Sequence, residues 1–367
     1  MWNPIQRFLS KRFLGIDIGT SYVKAVEIYK SGRQRKLENY GQISSSVFRE
    51  KPFRTFEKRS LLLSNEDIAK AIKSIIEEAE IKTKQVVFSI PDFSTFFTSF
   101  ELPPMTKEEL PEAVRYEARQ HIPIPLTDVV LDWQIIKSKP LDEKKTSFEI
   151  LLAAVPNEVI NQYEEIARIS QLELIALEAE VFSLIRSLVR EDEKGPVALI
   201  DIGAKTTTCS IVDKRILKTS HSFDMSGNDL TSTLAKGLNI SFGEAEKIKK
   251  QYGIVEEGAS GAAEGNSQVI REMLLPLIDV ILREIKGILD NFYQQERKEI
   301  EKVIIAGGTA LLPGLKEYFK KSFDKKEVEI GNPFSNISYP PLLEKTLGEM
   351  GPSFAIATGA ALRGLQG

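Results

Sequence analysis

The chain has one cysteine, two histidines and two tryptophans in 367 residues. With Cys209 alone, no disulfide can form within it, which fits a reducing compartment. His121 and His221 lie far apart, so no His/Cys cluster has metal-ligand spacing and any metal is expected to be oxygen-bound. No apolar run reaches the roughly 20 residues that a membrane-spanning helix needs, and no signal-peptide pattern opens the chain. Neither sign of charge dominates: 49 Lys and Arg stand against 52 Asp and Glu, a net charge of −3. A general nucleic-acid role is therefore not supported.

Apolar residues make up 42% and charged residues 28% of the chain, and its length allows two core-bearing domains with an insertion. Near the start, Trp2, Ile5, Phe8 and Leu9 fall roughly on one helical face, with Arg7, Lys11 and Arg12 adding positive charge. This reads as a terminal helix packed on its own domain; a short interfacial helix is the alternative.

The stretch Leu14-Gly-Ile-Asp-Ile-Gly19, followed by Thr20, Ser21 and an alternating run to Ile28, predicts strand, tight turn, strand. Gly19 allows a close backbone approach or a positive φ. The hydroxyls of Thr20 and Ser21 and the turn amides are donors for a phosphate, and Asp17 at the strand end can hold a hydrated cation. The same layout returns at Val197–Val212, where Asp201 and Gly203 match Asp17 and Gly19 and the Ile-Asp-Ile-Gly core is identical. Two such hairpins, half a chain apart, predict two similar domains facing each other across a cleft. A third motif, Ala306-Gly-Gly-Thr309, predicts a buried strand, a Gly-Gly turn and a helix capped by Thr309. Gly307 and Gly308 leave room for a flat ring against the backbone.

Between these motifs, residues 34–47 read as a strand and Arg49–Arg59, broken by Pro52, as a loop. A helix runs from Ser64 with Ile68, Ala71, Ile72, Ile75 and Ile76 on its buried face. Gln85–Pro91 is a buried strand, and the Phe-rich run to Leu102 is a strand that Pro103-Pro104 breaks. A capping-box start at Thr106 leads a helix to His121. Two further strands and a helix to Ser170 complete a compact unit over 85–172. A helix is expected to begin in Leu177–Leu184, with others at 241–251, 267–296 (containing Pro276) and 353–362, and a Gly/Ala-rich loop at 256–265.

In this order and spacing the three motifs resemble the actin-like ATPase superfamily, which includes actin, the sugar kinases, the seventy-kilodalton chaperones and FtsA. Phe88-Ser-Ile-Pro-Asp92, Arg115-Tyr-Glu-Ala-Arg-Gln-His-Ile-Pro123 and Ala153-Ala-Val-Pro156 resemble the FtsA-related PilM family of type IV pilus assembly, over essentially the whole chain. The resemblance implies an α/β actin-like ATPase fold: two RNase H-like domains around a nucleotide cleft, with an FtsA-like inserted α+β subdomain. Residues 1–84 and 173–196 would form the first domain, 85–172 the insert and 197–352 the second domain, with the final helix (353–367) returning to the first. It implies ATP and Mg2+ as cofactors. Asp17 and Asp201 would hold the metal, directly or through water. Gly19, Thr20, Ser21, Lys24, Gly203, Lys205, Thr206 and Thr207 would hold the phosphates. Gly307, Gly308 and Thr309, with Glu246 and Lys249 at i, i+3, would flank adenosine. Glu178 would position the attacking water, although Ala179 stands where the family pattern has Pro. Hydrolysis would be slow and rest on positioning and charge neutralisation.

The PilM resemblance further implies a nucleotide-binding adaptor at the cytoplasmic face of the inner membrane. It would join the pilus platform through its partners, chiefly the cytoplasmic N-terminal peptide of PilN, with self-association left open. The peptide would lie between first domain and insert, near Val86–Ile90 and the helix Thr106–His121. An FtsA-like filament former, a type II secretion scaffold and a small-molecule kinase are the alternatives. No FtsA-like membrane helix follows Gly364, and no substrate-pocket motif of a kinase is present.

Overall fold

The computed structural model describes residues 11–47, 52–57, 60–140, 145–256 and 266–366. The amphipathic stretch before Lys11 and the Gly/Ala-rich segment 257–265 lie outside the described residues.

Two five-stranded sheets share one topology. In the first, β1 (Arg12–Ile18) pairs antiparallel with β2 (Tyr22–Ser31), which pairs antiparallel with β3 (Gln34–Ser44). On its other side β1 runs parallel to β6 (Gln85–Ile90), and β6 to β10 (Glu173–Ala179). The second sheet repeats the order β3-β2-β1-β6-β10 with β13 (Ile216–Phe223), β12 (Thr207–Asp213), β11 (Val197–Ile202), β14 (Lys302–Ala306) and β15 (Glu327–Ile330). Each central strand is apolar on both faces because helices cover both faces of its sheet. In β1, Leu14, Ile16 and Ile18 enter the layer under α1 (Asn65–Glu78) and α3 (Asn157–Ser170). Phe13 turns to the opposite layer, under α10 (Ala355–Gly364). In β11, Ala198, Ile200 and Ile202 pack on α5 (Gly227–Leu238) and α7 (Asn266–Glu296), while Val197 and Leu199 pack on α4 (Glu180–Leu188). Each fully buried Leu or Ile contributes about 1.5–3 kcal/mol of transfer free energy, so this two-sided alternation fixes the register of both central strands.

The insert is a three-stranded antiparallel sheet, β7 (Phe96–Met105), β9 (Thr146–Pro156) and β8 (Val129–Pro140), with β9 central. Helix α2 (Leu110–His121) covers one face through Leu110, Val114 and Ala118. The expected insert therefore narrows at both ends. Strand β6 lies inside the first sheet, and α3 packs into that domain's core through Val159, Tyr163 and Ile166. The unit is threaded into the crossover from β6 to β10, where the second domain carries only the short helix α8 (Leu315–Ser322).

Three local expectations change. Pro103 and Pro104 do not end β7; they fall where its register with β9 shifts between Leu102 and Met105. Strand β7 is an edge, where a missing N–H breaks no ladder. Part of the segment expected as loop, 49–59, forms a strand, β4 (Arg54–Glu57), which pairs antiparallel with β5 (Ser60–Leu63). Strand β10 continues through Ala179, so α4 begins at Glu180 rather than at Leu177. The remaining helices are α6 (Phe242–Tyr252), with its Ser241/Glu244 capping box, and α9 (Glu344–Met350).

Candidate functional site

The two Ile-Asp-Ile-Gly hairpins close in the same way. The Gly19 amide donates to the Tyr22 carbonyl at 2.9 Å, and the Gly203 amide to the Thr206 carbonyl at 3.0 Å. Neither glycine has a positive φ. Each is small because a Cβ there would lie 2.9 Å from the carbonyl that its amide engages. The two-residue tips are Thr20-Ser21 and Ala204-Lys205. Their four amides donate no hydrogen bond within the described residues, which leaves two small clusters of donors for an anion. The tip carbonyls are used: Thr20 accepts from Phe53 at 3.0 Å, Ser21 from Ser45 at 2.9 Å and Ala204 from Asn228 at 3.0 Å.

Asp17 is buried, and Lys24, its cross-strand partner, places Nζ 3.4 Å from its Oδ2. Lys24 thus neutralises Asp17. Asp201 occupies the matching place in β11. Burial, then the negative charges of Glu180 and Asp17, push its carboxyl up to about 7 against the opposing pull of Lys24 and Arg54. The two aspartates therefore share one electrostatic environment. Among the residues named for phosphates, Lys205 is exposed. Thr207 is buried, with its hydroxyl given to the Met225 carbonyl at 2.6 Å, so it serves the fold rather than an open surface.

The third motif lies against the second hairpin. Gly307 has φ +87°, and a Cβ there would meet Asp201 Oδ1 at 2.4 Å, so only glycine fits both the backbone and the space. Gly308 faces open space. Thr309 does not cap a helix. Its amide donates to the Ile202 carbonyl at 3.2 Å, and α8 starts only at Leu315, after Pro313 and Gly314. Its side chain instead closes on Gly227, where a Cβ would lie 2.5 Å from Thr309 Oγ1 and 3.6 Å from Lys249 Nζ. Lys249, nearly buried, donates to the Gly227 carbonyl at 3.0 Å and Thr231 Oγ1 at 2.9 Å, and pairs with Glu246 at 2.6 Å. Burial lowers the Lys249 pKa against the attraction of Glu246. Gly203, Gly227, Lys249, Glu246 and Thr309 are thus brought together.

Glu178 is not part of this cluster. Its carboxylate is clasped by Arg186, at 2.6 Å and 2.5 Å, and accepts from Ser183 at 2.9 Å. The carboxylate that joins Asp17 in acting on Asp201 is Glu180, the first residue of α4, held by Arg54 at 2.8 Å. Beside it, Asp92 Oδ1 accepts from the Val181 amide at 3.0 Å, while its buried Oδ2 has no partner among the described residues. Burial and then Glu180 drive the Asp92 pKa well upward. Arg54, Asp92 and Glu180 were not assigned roles from sequence. For Glu180 the signal was the helical period of Val181, Leu184, Ile185 and Leu188, which starts directly after it, and Asp92 ends the Phe88–Asp92 motif.

Asp17, Asp92, Glu180 and Asp201 give four carboxylates against the two cations Lys24 and Arg54. No group of three His, Cys, Asp or Glu among the described residues forms a metal cage. This donor set fits magnesium, which keeps its waters and binds through one or two carboxylates and a ligand's phosphates. The undonated tip amides and the open face of Gly308 fit a nucleotide. Surface recesses of about 370 Å³ beside Asp192 and Lys214, and about 340 Å³ beside Tyr40 and Glu80, are lined by none of these residues.

The type IV pilus assembly protein PilM family matches residues 15–365. The chain belongs to this family. A solved PilM-PilN type IV pilus biogenesis complex is similar over 96% of this chain and 98% of that chain, with a TM-score of 0.78 and 25% identity. The cell division protein FtsA of Enterococcus faecalis is 24% identical over 349 residues, covering 85% of this chain and 77% of that protein. MreB5 of Spiroplasma citri, solved bound to ADP, matches 96% of this chain with a TM-score of 0.53 and 14% identity. The chain therefore has the actin-like ATPase fold and is a type IV pilus assembly protein of the PilM family. No helix among the described residues is long and apolar enough to cross a membrane.

Proposed function

We propose that this protein binds ATP with magnesium between its two sheets and serves as a nucleotide-loaded adaptor in type IV pilus assembly, holding the N-terminal peptide of a PilN-type membrane protein. The observation that carries the nucleotide reading is the pair of matching hairpins with undonated tip amides, set beside the Gly203–Gly227–Thr309–Lys249 cluster. Bound ATP would supply the phosphate chain and purine. Gly19, Thr20, Ser21, Gly203, Lys205 and Thr206 would hold the phosphates, and Gly307, Gly308, Glu246 and Lys249 the adenosine side. Asp17 and Asp201 would face the hydrated magnesium. Hydrolysis is at most slow.

The partner reading draws on the PilM-PilN complex, which is similar over nearly the whole chain. Strand β6 cannot receive a peptide along its edge, because β1 and β10 occupy both of its sides. The first sheet has two edge strands: β3, which Ser338 covers in part, and β10, where Ile175 is 42% exposed. Pairing along that edge is the mode proposed for the peptide. Other platform proteins and a peripheral place at the inner membrane follow from this reading.

The test is calorimetric titration with ATP and magnesium, with and without a synthetic PilN-type N-terminal peptide. Binding of both ligands, each altering the other's affinity by the same factor, supports a nucleotide-responsive adaptor. ATP binding without peptide binding removes the partner reading. Absence of ATP binding removes the cleft reading.

A further inference from the structure

We propose that Arg54 is the residue by which the cleft tells a nucleoside triphosphate from a diphosphate. The inference rests on the nucleotide reading above. Arg54 is 9% exposed and touches three separate units of the fold. Its Nε lies 3.4 Å from Thr20 Oγ1 on the first hairpin, and its Nη1 lies 2.8 Å from Glu180 at the start of α4. Its guanidinium sits 5.7 Å from the centre of the Phe93 ring, in the turn that leads into the insert. The main chain fixes it there. The Phe53 amide donates to the Thr20 carbonyl at 3.0 Å, and the Phe53 carbonyl accepts from Ser64 at 3.0 Å.

A guanidinium has five N–H donors in a planar fork. The contacts to Thr20 and Glu180 use two of them, and no other acceptor among the described residues takes the rest. A buried, permanently charged fork with unused donors suits a phosphate, which it can grip bidentately. Its place along the ligand follows from the other contacts. Lys249, Thr309 and Gly227 mark the adenosine end beside the second hairpin, and Arg54 touches none of them. It stands instead at the first hairpin, where its charge acts on both Asp17 and Asp201. A phosphate chain entering from the adenosine end brings its terminal group to this position. Glu180 balances the guanidinium's charge, and the terminal phosphate of a triphosphate competes with it for Arg54. A diphosphate leaves the Arg54–Glu180 pair in place.

The experiment measures dissociation constants for magnesium-AMPPNP and magnesium-ADP by calorimetry, on the full chain and on the Arg54→Gln, Arg54→Lys and Glu180→Gln variants. The readout is the ratio of the two constants within each protein, which a fraction of misfolded variant does not change. Arg54→Gln is expected to weaken AMPPNP roughly tenfold or more while ADP stays within about twofold, as befits loss of a charge-assisted contact to one group. Arg54→Lys restores part of the difference. Glu180→Gln frees the arginine and raises the preference for the triphosphate. Equal weakening of both nucleotides in Arg54→Gln overturns the inference and leaves the nucleotide reading standing. Failure of the unaltered chain to bind either nucleotide overturns both.

Discussion

Two alanine substitutions in helix interiors should move stability in opposite directions. Gly359 lies in α10 against α4. A Cβ at that position would sit 1.9 Å from the Ser183 carbonyl oxygen, 2.5 Å from its carbon and 2.7 Å from its Cα. All three are backbone atoms, so no rotamer change relieves the clash, and the two helices must part by about 1.5 Å to reach ordinary contact. The same seam carries the hydrogen bond from Arg186 Nη1 to the Gly359 carbonyl, at 3.1 Å. Overpacking of this kind costs about 1–3 kcal/mol or more. The gain of about 1 kcal/mol in helix propensity from Gly to Ala offsets only part of it. Gly287, inside α7, has nothing within 4 Å of its built Cβ. There only the propensity gain remains, and Gly287→Ala should stabilise by up to about 1 kcal/mol. Urea unfolding of the two variants beside the parent chain is the assay. Gly359→Ala should lose about 2 kcal/mol. A neutral Gly359→Ala, or a shift of the same sign in both variants, would refute the packing argument.

The other expectations concern single side chains. The folded-state pKa of Asp201, about 7, stands above its ordinary 3.8, so the folded chain holds an extra proton between those values. Its contribution to stability therefore falls as pH rises through 7, by on the order of 1 kcal/mol between pH 6 and pH 8. Asp201→Asn should flatten that slope in thermal unfolding; a steeper one would contradict the assignment. Glu178→Gln leaves Arg186 without its carboxylate in a nearly buried pair. It should cost roughly 3 kcal/mol of stability with no change in nucleotide affinity, and a selective loss of ATP turnover would return Glu178 to the site. Lys249→Met should weaken ATP and ADP alike by roughly tenfold, the size of one charged hydrogen bond, as read by competitive displacement of a fluorescent nucleotide. Ile175→Asp should abolish PilN-type peptide binding in a pull-down and leave the ATP dissociation constant unchanged; retained peptide binding would move the partner off β10.

Much of this architecture is local in origin. The Ile-Asp-Ile-Gly repeats fold as equivalent hairpins because each has the same apolar run and the same need for a small residue at the closing carbonyl. The apolar runs of β1 and β11 and the helical period of α1 were legible within a window of a few residues. Where local rules misled, the sheet order explains why. Two consecutive prolines stop a central strand, but β7 is an edge. A threonine after a Gly-Gly turn looks like a helix cap, but Pro313 and Gly314 delay the helix and leave Thr309 against Gly227.

The sequence by itself determined the paired aspartate hairpins, the Gly-Gly-Thr turn, the inserted α+β unit and the family to which they point. Tertiary structure alone decided which charges meet. Arg54 and Glu180 are 126 positions apart, and Asp92 and Val181 are 89 apart. No local pattern marks such pairs, since their energies arise only when distant segments exclude water between them. The same burial that makes an unpaired charge costly binds Arg54 to Glu180 rather than leaving it in a charged surface loop, and the strand that occupies the first three residues of the expected helix gives Glu178 to Arg186 and Glu180 to the cleft.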